Sequence, residues 1–480
     1  MAKLRRRDLP ALLGAGFAQS SRALADRGAP NIVLITGDHL RWNHVASNGN
    51  PAIHTPRMDA LAANGASFTS CFTVGVACAP NRASLMTGRY PNAHRLMVNG
   101  IRMPGDEVTL THVLRGAGYY TGQMGKLHFW PHAGSRNHRE AQPSYGFHQM
   151  RLSDEPGCYD DAYGLWLDAQ GAEVRRKARV VLPAERGRFD YYTFAGDENT
   201  THAHWVASET SRFIGENKDR PFFVHAGFYA PHPPLNPPAS MLALYKDAKL
   251  PPRIYRDDEA NYLPPVMRTA VRTLAGTPED TWTAYRKHFY AMVSELDRNI
   301  GRIVDSVTAA GVADRTIFVV TADHGDYLGD HNMSAKSATP YDGAMRIPLI
   351  FSGPGIPRAA RTDELCELVD VMPTLLELSG IALPKGNQGV SQLPVMKGGK
   401  GKDLIYMQSP NNRIVRSKKA LYAYWANGEE VLFDLERDPD ELRNIAPDGG
   451  STALRDEMRM RIMRKQIATA DPLPERVAPY

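Results

Sequence analysis

Thr316-Ile317-Phe318-Val319-Val320-Thr321 runs through Ala322 into Asp323-His324-Gly325-Asp326. The run is short, continuous and rich in β-branched residues, the pattern of a strand buried on both faces. A buried strand that stops abruptly in a carboxylate and an imidazole points to a metal site at its carboxyl end. Upstream, the apolar positions from about Thr281 to Ala309 keep a helical period, so a long amphipathic helix leads into this strand. Near the other end of the chain, Asn31-Ile32-Val33-Leu34-Ile35-Thr36 repeats the pattern and is stopped by Gly37-Asp38. Two such runs require a sheet covered on both faces.

The intervening sequence supplies the rest of that sheet. Strand patterns fall at Ser67 to Val74, at Tyr119 to Met124 before Gly125-Lys126, and at Pro221 to Phe228. Helical periods fall at Met58 to Ala63, Thr109 to Gly116 and Thr201 to Glu216. This alternation predicts an α/β fold with a large mixed, mostly parallel sheet flanked by helices. Residues 132–198 and 231–280 lack periodicity and are expected to be long loops over the active-site face. Beyond a Gly/Lys-rich connection at 384–402, short runs at 413–416, 421–425 and 431–435 read as antiparallel strands, and Thr452 to Gln466 as a closing helix. The expected organisation is a catalytic domain over 26–385 and a small C-terminal α+β subdomain over 403–470, with Asp370 capping the helix that begins at Val371.

At 480 residues the chain can bury a sizeable core. The formal charge of +5 is carried mostly by the first 25 residues, where Lys3, Arg5, Arg6, Arg7 and Arg22 face only Asp8; the remainder is +1. A global basic field for nucleic acid is therefore absent. The arginine run, the apolar stretch Leu9 to Ala18 and Ala23-Leu24-Ala25 predict a twin-arginine export signal over 1–25 and a periplasmic or secreted protein, the alternative being a cytoplasmic one with a basic tail. That stretch is too short and broken to span a bilayer, and no other run reaches the length needed for stable membrane insertion. Cys71, Cys78, Cys158 and Cys366 show no zinc spacing and no disulfide framework; a Cys71 to Cys78 bridge would consume the cysteine that matters most.

That cysteine opens the run Cys78-Ala79-Pro80-Asn81-Arg82-Ala83-Ser84-Leu85-Met86-Thr87-Gly88-Arg89. Pro80 sets a turn and Asn81 to Met86 reads as a short amphipathic helix, which places Cys78 near a helix N-terminus, a position that favours an anion. The run closely resembles the signature of type I sulfatases, in which the cysteine is converted to Cα-formylglycine. Asp323-His324-Gly325-Asp326-Tyr327-Leu328-Gly329-Asp330-His331, with Lys336 beyond it, resembles the metal-binding signature of the same family. The likeness extends in order from Asn31 to about Ala446 and implies an alkaline phosphatase-like fold.

The chemistry explains why such residues are needed. A sulfate ester is an anion with a poor electrophile at sulfur, so a catalyst must neutralise its oxygens, supply a strong nucleophile and protonate the leaving alcohol. The resemblance implies Asp38, Asp323 and His324 as ligands of one divalent metal, together with Cys78 as formylglycine. Oxygen-rich ligation suits Ca²⁺ first, with Mg²⁺ or Mn²⁺ as alternatives. His39 stands where relatives usually carry Asp or Gln, which leaves open whether it ligates and whether it softens the metal preference. By the same resemblance Arg82 orients the formylglycine, Lys126 steadies the nucleophile or sulfate, and His128 takes the proton that drives release of sulfate. His232 lies near the leaving oxygen, Lys336 clamps sulfate, and Asn99 contacts substrate. Asn81 departs from the more frequent Ser or Ala. Asp342 and Arg346 read as structural supports for the metal loop.

The expected activity is hydrolysis of a sulfate ester, on a small organosulfate or a sulfated glycan, after maturation by a formylglycine-generating or equivalent enzyme. One alternative keeps the nucleophile and acts on phosphonate monoesters or phosphodiesters. Another is a non-catalytic glycan-binding protein in which Cys78 stays a thiol. Trp130, Trp166, Tyr191, Tyr192 and Trp205 are candidates to stack on a sugar or aryl group, or to fill the core.

Overall fold

The computed structural model describes residues 28–131, 142–156, 160–178, 189–337 and 339–471; the predicted export signal and Cys158 lie outside them. The strands of the large sheet are β1 (Asn31–Gly37), β2 (Gly65–Phe72), β3 (Tyr120–Gly125), β4 (Gln149–Leu152), β5 (Phe222–Gly227), β6 (Thr316–Ala322), β7 (Arg346–Ser352), β8 (Ala360–Thr362) and β9 (Cys366–Glu367). Their order is β4-β3-β5-β1-β6-β7-β2-β8, with β9 also on β2. β1 lies between β5 and β6, parallel to both, and Leu34 is level with His225 and Val319. Every residue of β1 and of β6 is buried, which is why both read as unbroken apolar runs.

β7 alone runs antiparallel, between β6 and β2. Sequence patterning missed it because Pro348 interrupts it. The structure accommodates the missing N–H at an irregularity of the β2–β7 ladder, where the register shifts between Phe68 and Cys71. All the remaining strands point one way, so their carboxyl ends meet on one edge of the sheet.

Helices cover the sheet. The long helix Glu279–Ala309 packs on His202–Asn217, and Cys78–Thr87 packs on Leu110–Gly116 and Val371–Leu378. All ten residues of Cys78–Thr87 are buried, so the segment expected to be amphipathic is an interior helix. Asp370 makes no side-chain cap to Val371–Leu378. It instead accepts from the backbone N–H groups of Glu367 and Val390 and from Lys402 Nζ, tying three segments together. Cys71 lies level with Cys366 on the adjacent strand, both as free thiols, and is not bridged to Cys78.

A second, four-stranded antiparallel sheet follows, in the order β10 (Ile405–Gln408), β11 (Asn412–Arg416), β12 (Ala420–Trp425) and β13 (Glu430–Asp434), with helix Thr452–Ala468 after it. Two apolar clusters join it to the main body: Phe72, Met345 and Tyr341 pack with Ile414 and Phe433, and Val74 and Tyr90 pack with Tyr406 and Tyr422. The stretches expected as loops contain helices, among them Pro265–Thr273, which buries Met267 and Val271 beneath the small sheet. Two buried residues one turn apart are too few to register as a period. Trp205 is wholly buried core, whereas Trp130 is partly exposed and stacked under Arg102.

Candidate active site

Four adjacent parallel strands carry predicted groups at their carboxyl ends. β1 ends in Asp38 and His39, β6 in Asp323 and His324, β3 in Lys126 and His128, and β5 leads to Tyr229 and His232. Cys78 comes from the far side, at the first turn of its helix. The ends of β3 and β5 approach unusually closely: a Cβ on Gly125 would meet the Gly227 carbonyl oxygen at 2.2 Å, and one on Gly227 would meet the Lys126 carbonyl at 2.0 Å. Only two glycines permit the Lys126 N–H to reach the Gly227 carbonyl at 2.7 Å and so aim the lysine inward.

Asp38, Cys78, Asp323 and His324 are all buried and offer ligand atoms within 4.8 Å of one another. Cys78 Sγ is 3.2 Å from His324 Nε2 and 4.0 Å from Asp38 Oδ1. Arg82 lies beneath: Nε donates to Asp323 at 2.8 Å, Nη1 donates to the Lys126 carbonyl at 3.1 Å, and Nη2 is 3.5 Å from Asp38. Lys126 Nζ sits 2.6 Å from Asp38 Oδ2 and 4.9 Å from the centre of the Tyr229 ring. Asn99 accepts from the Ala79 N–H at 3.0 Å, satisfying a first-turn donor of the helix, and its Nδ2 lies 3.9 Å from Cys78 Sγ.

Three imidazoles share one arrangement. His324 Nδ1 donates to the Gly325 carbonyl at 2.8 Å, His232 Nδ1 to the Pro233 carbonyl at 2.5 Å, and His39 Nδ1 to the Asp326 carboxylate at 2.7 Å. Burial holds His39 and His232 well below the imidazole range, so pinning their Nδ1–H leaves their Nε2 lone pairs to the site, whereas Asp323 and the Cys78 side chain raise His324 against burial and its Nε2 faces Cys78 Sγ. His39 is thus oriented by Asp326, a residue of the quoted motif to which the sequence assigned no role. Its Nε2 faces Lys336 Nζ at 2.9 Å. Among the described residues His39 falls in a neighbouring group with Asp38 and His232, outside the cluster with Cys78, Asp323 and His324.

His39 and His128 both take left-handed backbone, with φ of 69° and 61°, at a cost of order 1 kcal/mol each for residues with a side chain. Asp154 holds the second: one carboxylate oxygen accepts from the N–H groups of Leu127 at 2.6 Å and His128 at 3.0 Å. It lies in a stretch without periodicity, and nothing in the sequence marks it.

Charge is divided unequally. Burial pushes the Asp38 carboxyl up, but Lys126, His232 and Arg82 outweigh it and hold it well below the carboxylate range. Asp323 goes the other way, raised by burial against Arg82. Burial and Asp38 push the Cys78 thiol up; Lys336 and His324 overcome them and bring it well below the thiol range. A site that favours negative charge at position 78 suits a bound anion or an anionic nucleophile. Two buried carboxylates, a lone-pair nitrogen and the Cys78 side chain converging within one coordination sphere also fit a divalent cation, for which the Asp38–Lys126 contact leaves Asp38 Oδ1 available.

A family model described as Sulfatase matches residues 30–381, and one described as N-sulphoglucosamine sulphohydrolase, C-terminal, matches 329–468. The chain is 30% identical over 437 residues to a choline-sulfatase of Rhizobium meliloti, covering 87% of this chain and 83% of that protein. It is 29% identical over 450 residues to an arylsulfatase of Clostridium perfringens, covering 87% and 90%. The crystal structure of a phosphonate monoester hydrolase of Agrobacterium radiobacter superposes with a TM-score of 0.81 at 24% identity, covering 92% of this chain and 96% of that one, which is a likeness of fold.

Proposed function

The chain belongs to the sulfatase family, and from that premise we propose that it hydrolyses sulfate esters at the carboxyl edge of its large sheet, with the side chain at position 78 as nucleophile after conversion of Cys78 to formylglycine. The observation that carries this reading is the convergence of Cys78 with Asp38, Asp323 and His324 within 4.8 Å, in a surround that draws negative charge to that residue. A bound divalent cation, with Ca²⁺ first and Mn²⁺ or Mg²⁺ next, would polarise a sulfate oxygen and acidify the hydrated aldehyde. Asp38, Asp323 and His324 would hold that cation.

The other residues have separable tasks. Lys126 and Lys336 bring two ammonium groups to the site and neutralise sulfate oxygens as charge develops. Arg82 keeps Asp323 and Asp38 fixed. His232, its Nδ1–H committed to Pro233, presents Nε2 to a leaving oxygen, with Lys336 as a second group able to donate a proton. His128, on the turn fixed by Asp154, is assigned the proton transfer that releases sulfate. Asn99 touches both the helix start and the position-78 side chain, which suits a contact to substrate. The N-terminal arginine run supports export to the periplasm or beyond, which fractionation of the native host would test.

The decisive experiment compares turnover of an aryl sulfate and an aryl phosphonate monoester by wild type and by Cys78→Ala. The reading predicts higher kcat/KM on sulfate and loss of both activities in the variant. A much larger efficiency on phosphonate would transfer the assignment to the phosphonate class, and undiminished turnover by Cys78→Ala would remove position 78 from the chemistry.

A further inference from the structure

The small C-terminal unit carries a groove of about 1050 Å³ that shares no residue with the Cys78 site. Helix Thr452–Ala468 forms one wall, the turn between β11 and β12 another, and the segment 400–404 before β10 the third. Its lining combines four apolar residues, Leu365, Leu404, Met460 and Ala468, with seven lysines and arginines against three carboxylates. Residues 26–480 as a whole carry only +1, so the groove gathers more positive charge than the rest of the protein retains.

Much of that charge is already matched. Lys402 is held by Glu367 and Asp370, Lys418 by Glu364, Lys419 by Glu436 and Arg461 by Glu457. Lys400, Arg464 and Lys465 make no salt bridge among the described residues, although Lys400 bears on Glu364 and Lys465 on Glu367 at longer range, and they come from two walls of the same groove. Three cations free of salt bridges beside apolar lining residues present two chemistries at once. A sulfated sugar chain has the complement of both, with C–H faces for the apolar residues and sulfate groups for the cations. The volume exceeds that of an ordinary small-ligand cleft and accommodates several sugar residues.

We propose that this groove is a secondary binding site for a sulfated oligosaccharide, holding a polyanionic substrate chain away from the bond being cleaved. The proposal rests on the sulfatase reading for its choice of a sulfated glycan over other polyanions, because a second site raises the residence of a chain whose other sulfates are the reaction's targets. It is a binding surface and takes no part in the chemistry, so small esters do not use it.

The test uses the full chain and three probes: a sulfated dextran oligosaccharide, the same oligosaccharide without sulfate, and a DNA duplex of equal charge. Affinity is measured by titration at several salt concentrations for wild type and for the triple variant Lys400→Gln, Arg464→Gln, Lys465→Gln, with melting temperature as the control for folding. Expected results are binding of the sulfated dextran that weakens with salt, no binding of the unsulfated one, weaker binding of DNA, and at least a tenfold loss in the triple variant. The variant should hydrolyse an aryl sulfate at the wild-type rate. Equal binding of the sulfated dextran by variant and wild type, no binding by either, or DNA binding as tight as the glycan would each overturn the proposal. Absence of aryl sulfate turnover in wild type would instead count against the proposed function, whatever the groove binds.

Discussion

Arg82 shows how much a single buried residue organises. It is 1% exposed and ties Asp323, Asp38 and the Lys126 carbonyl from three different strands. Arg82→Met removes the guanidinium and leaves two buried carboxylates short of countercharge, so it should cost about 3–5 kcal/mol of stability, read as a shift in denaturant midpoint at unchanged m. A loss of activity with full stability would mean that Arg82 serves the reaction alone. Asn81 is the residue at which sequence reading ran short. It appeared only as a departure from Ser or Ala, yet its side chain accepts from the N–H of Gly75 at 2.7 Å and of Val74 at 3.2 Å and donates to the Gly75 carbonyl. Those bonds fix the turn that feeds Cys78 into its helix, and an Ala there leaves buried donors unpaired. Asn81→Ala should therefore destabilise by about 1–3 kcal/mol, and Asn81→Asp, which keeps the acceptor but turns a carboxylate oxygen towards the Gly75 carbonyl, should destabilise as well. Equal stability of both variants with wild type would refute this role.

Among the elements, the long helix Glu279–Ala309 carries a titratable group in its buried face. Burial raises the Glu295 carboxyl to about 7, opposed by a hydrogen bond from Thr201 and by Arg298. A carboxyl whose pKa is higher in the folded state binds more protons folded than unfolded between its ordinary value of 4.5 and 7, so it makes stability fall as pH rises through that window. Glu295→Gln removes this dependence and should raise the melting temperature relative to wild type at pH 8 more than at pH 5. An equal effect at both pH values would show that Glu295 is ionised throughout. The same element scale explains what the sequence made legible. β1 and β6 were evident because both faces of each are covered and nothing polar interrupts them. β7 escaped because Pro348 breaks its run at an irregularity that only the partner strand reveals, and Pro265–Thr273 escaped because it buries just one turn's pair of residues.

For the whole molecule, the parallel arrangement is the reason that motifs almost 250 residues apart in sequence converge: strands pointing one way must release their terminal residues at one edge. That convergence was readable from the order of motifs, whereas Asp154, the orientation of His39 by Asp326 and the three pinned imidazoles were not, because each depends on a backbone or side-chain partner supplied by another segment. A divalent cation bound at this edge would link the strands, so removing it with a chelator should cost about 2.7 kcal/mol of stability relative to protein with the ion at 100 times its Kd, read as a lower melting temperature that readdition restores. An unchanged melting temperature would argue against a cation at Asp38, Asp323 and His324. These elements meet at position 78, and mass analysis of the peptide Met58 to Arg82 from protein made in its native host reads the chemical state of that residue. The expected result is an aldehyde in place of the thiol at position 78; an unmodified Cys78 throughout a preparation that hydrolyses an aryl sulfate would rule out the formylglycine nucleophile.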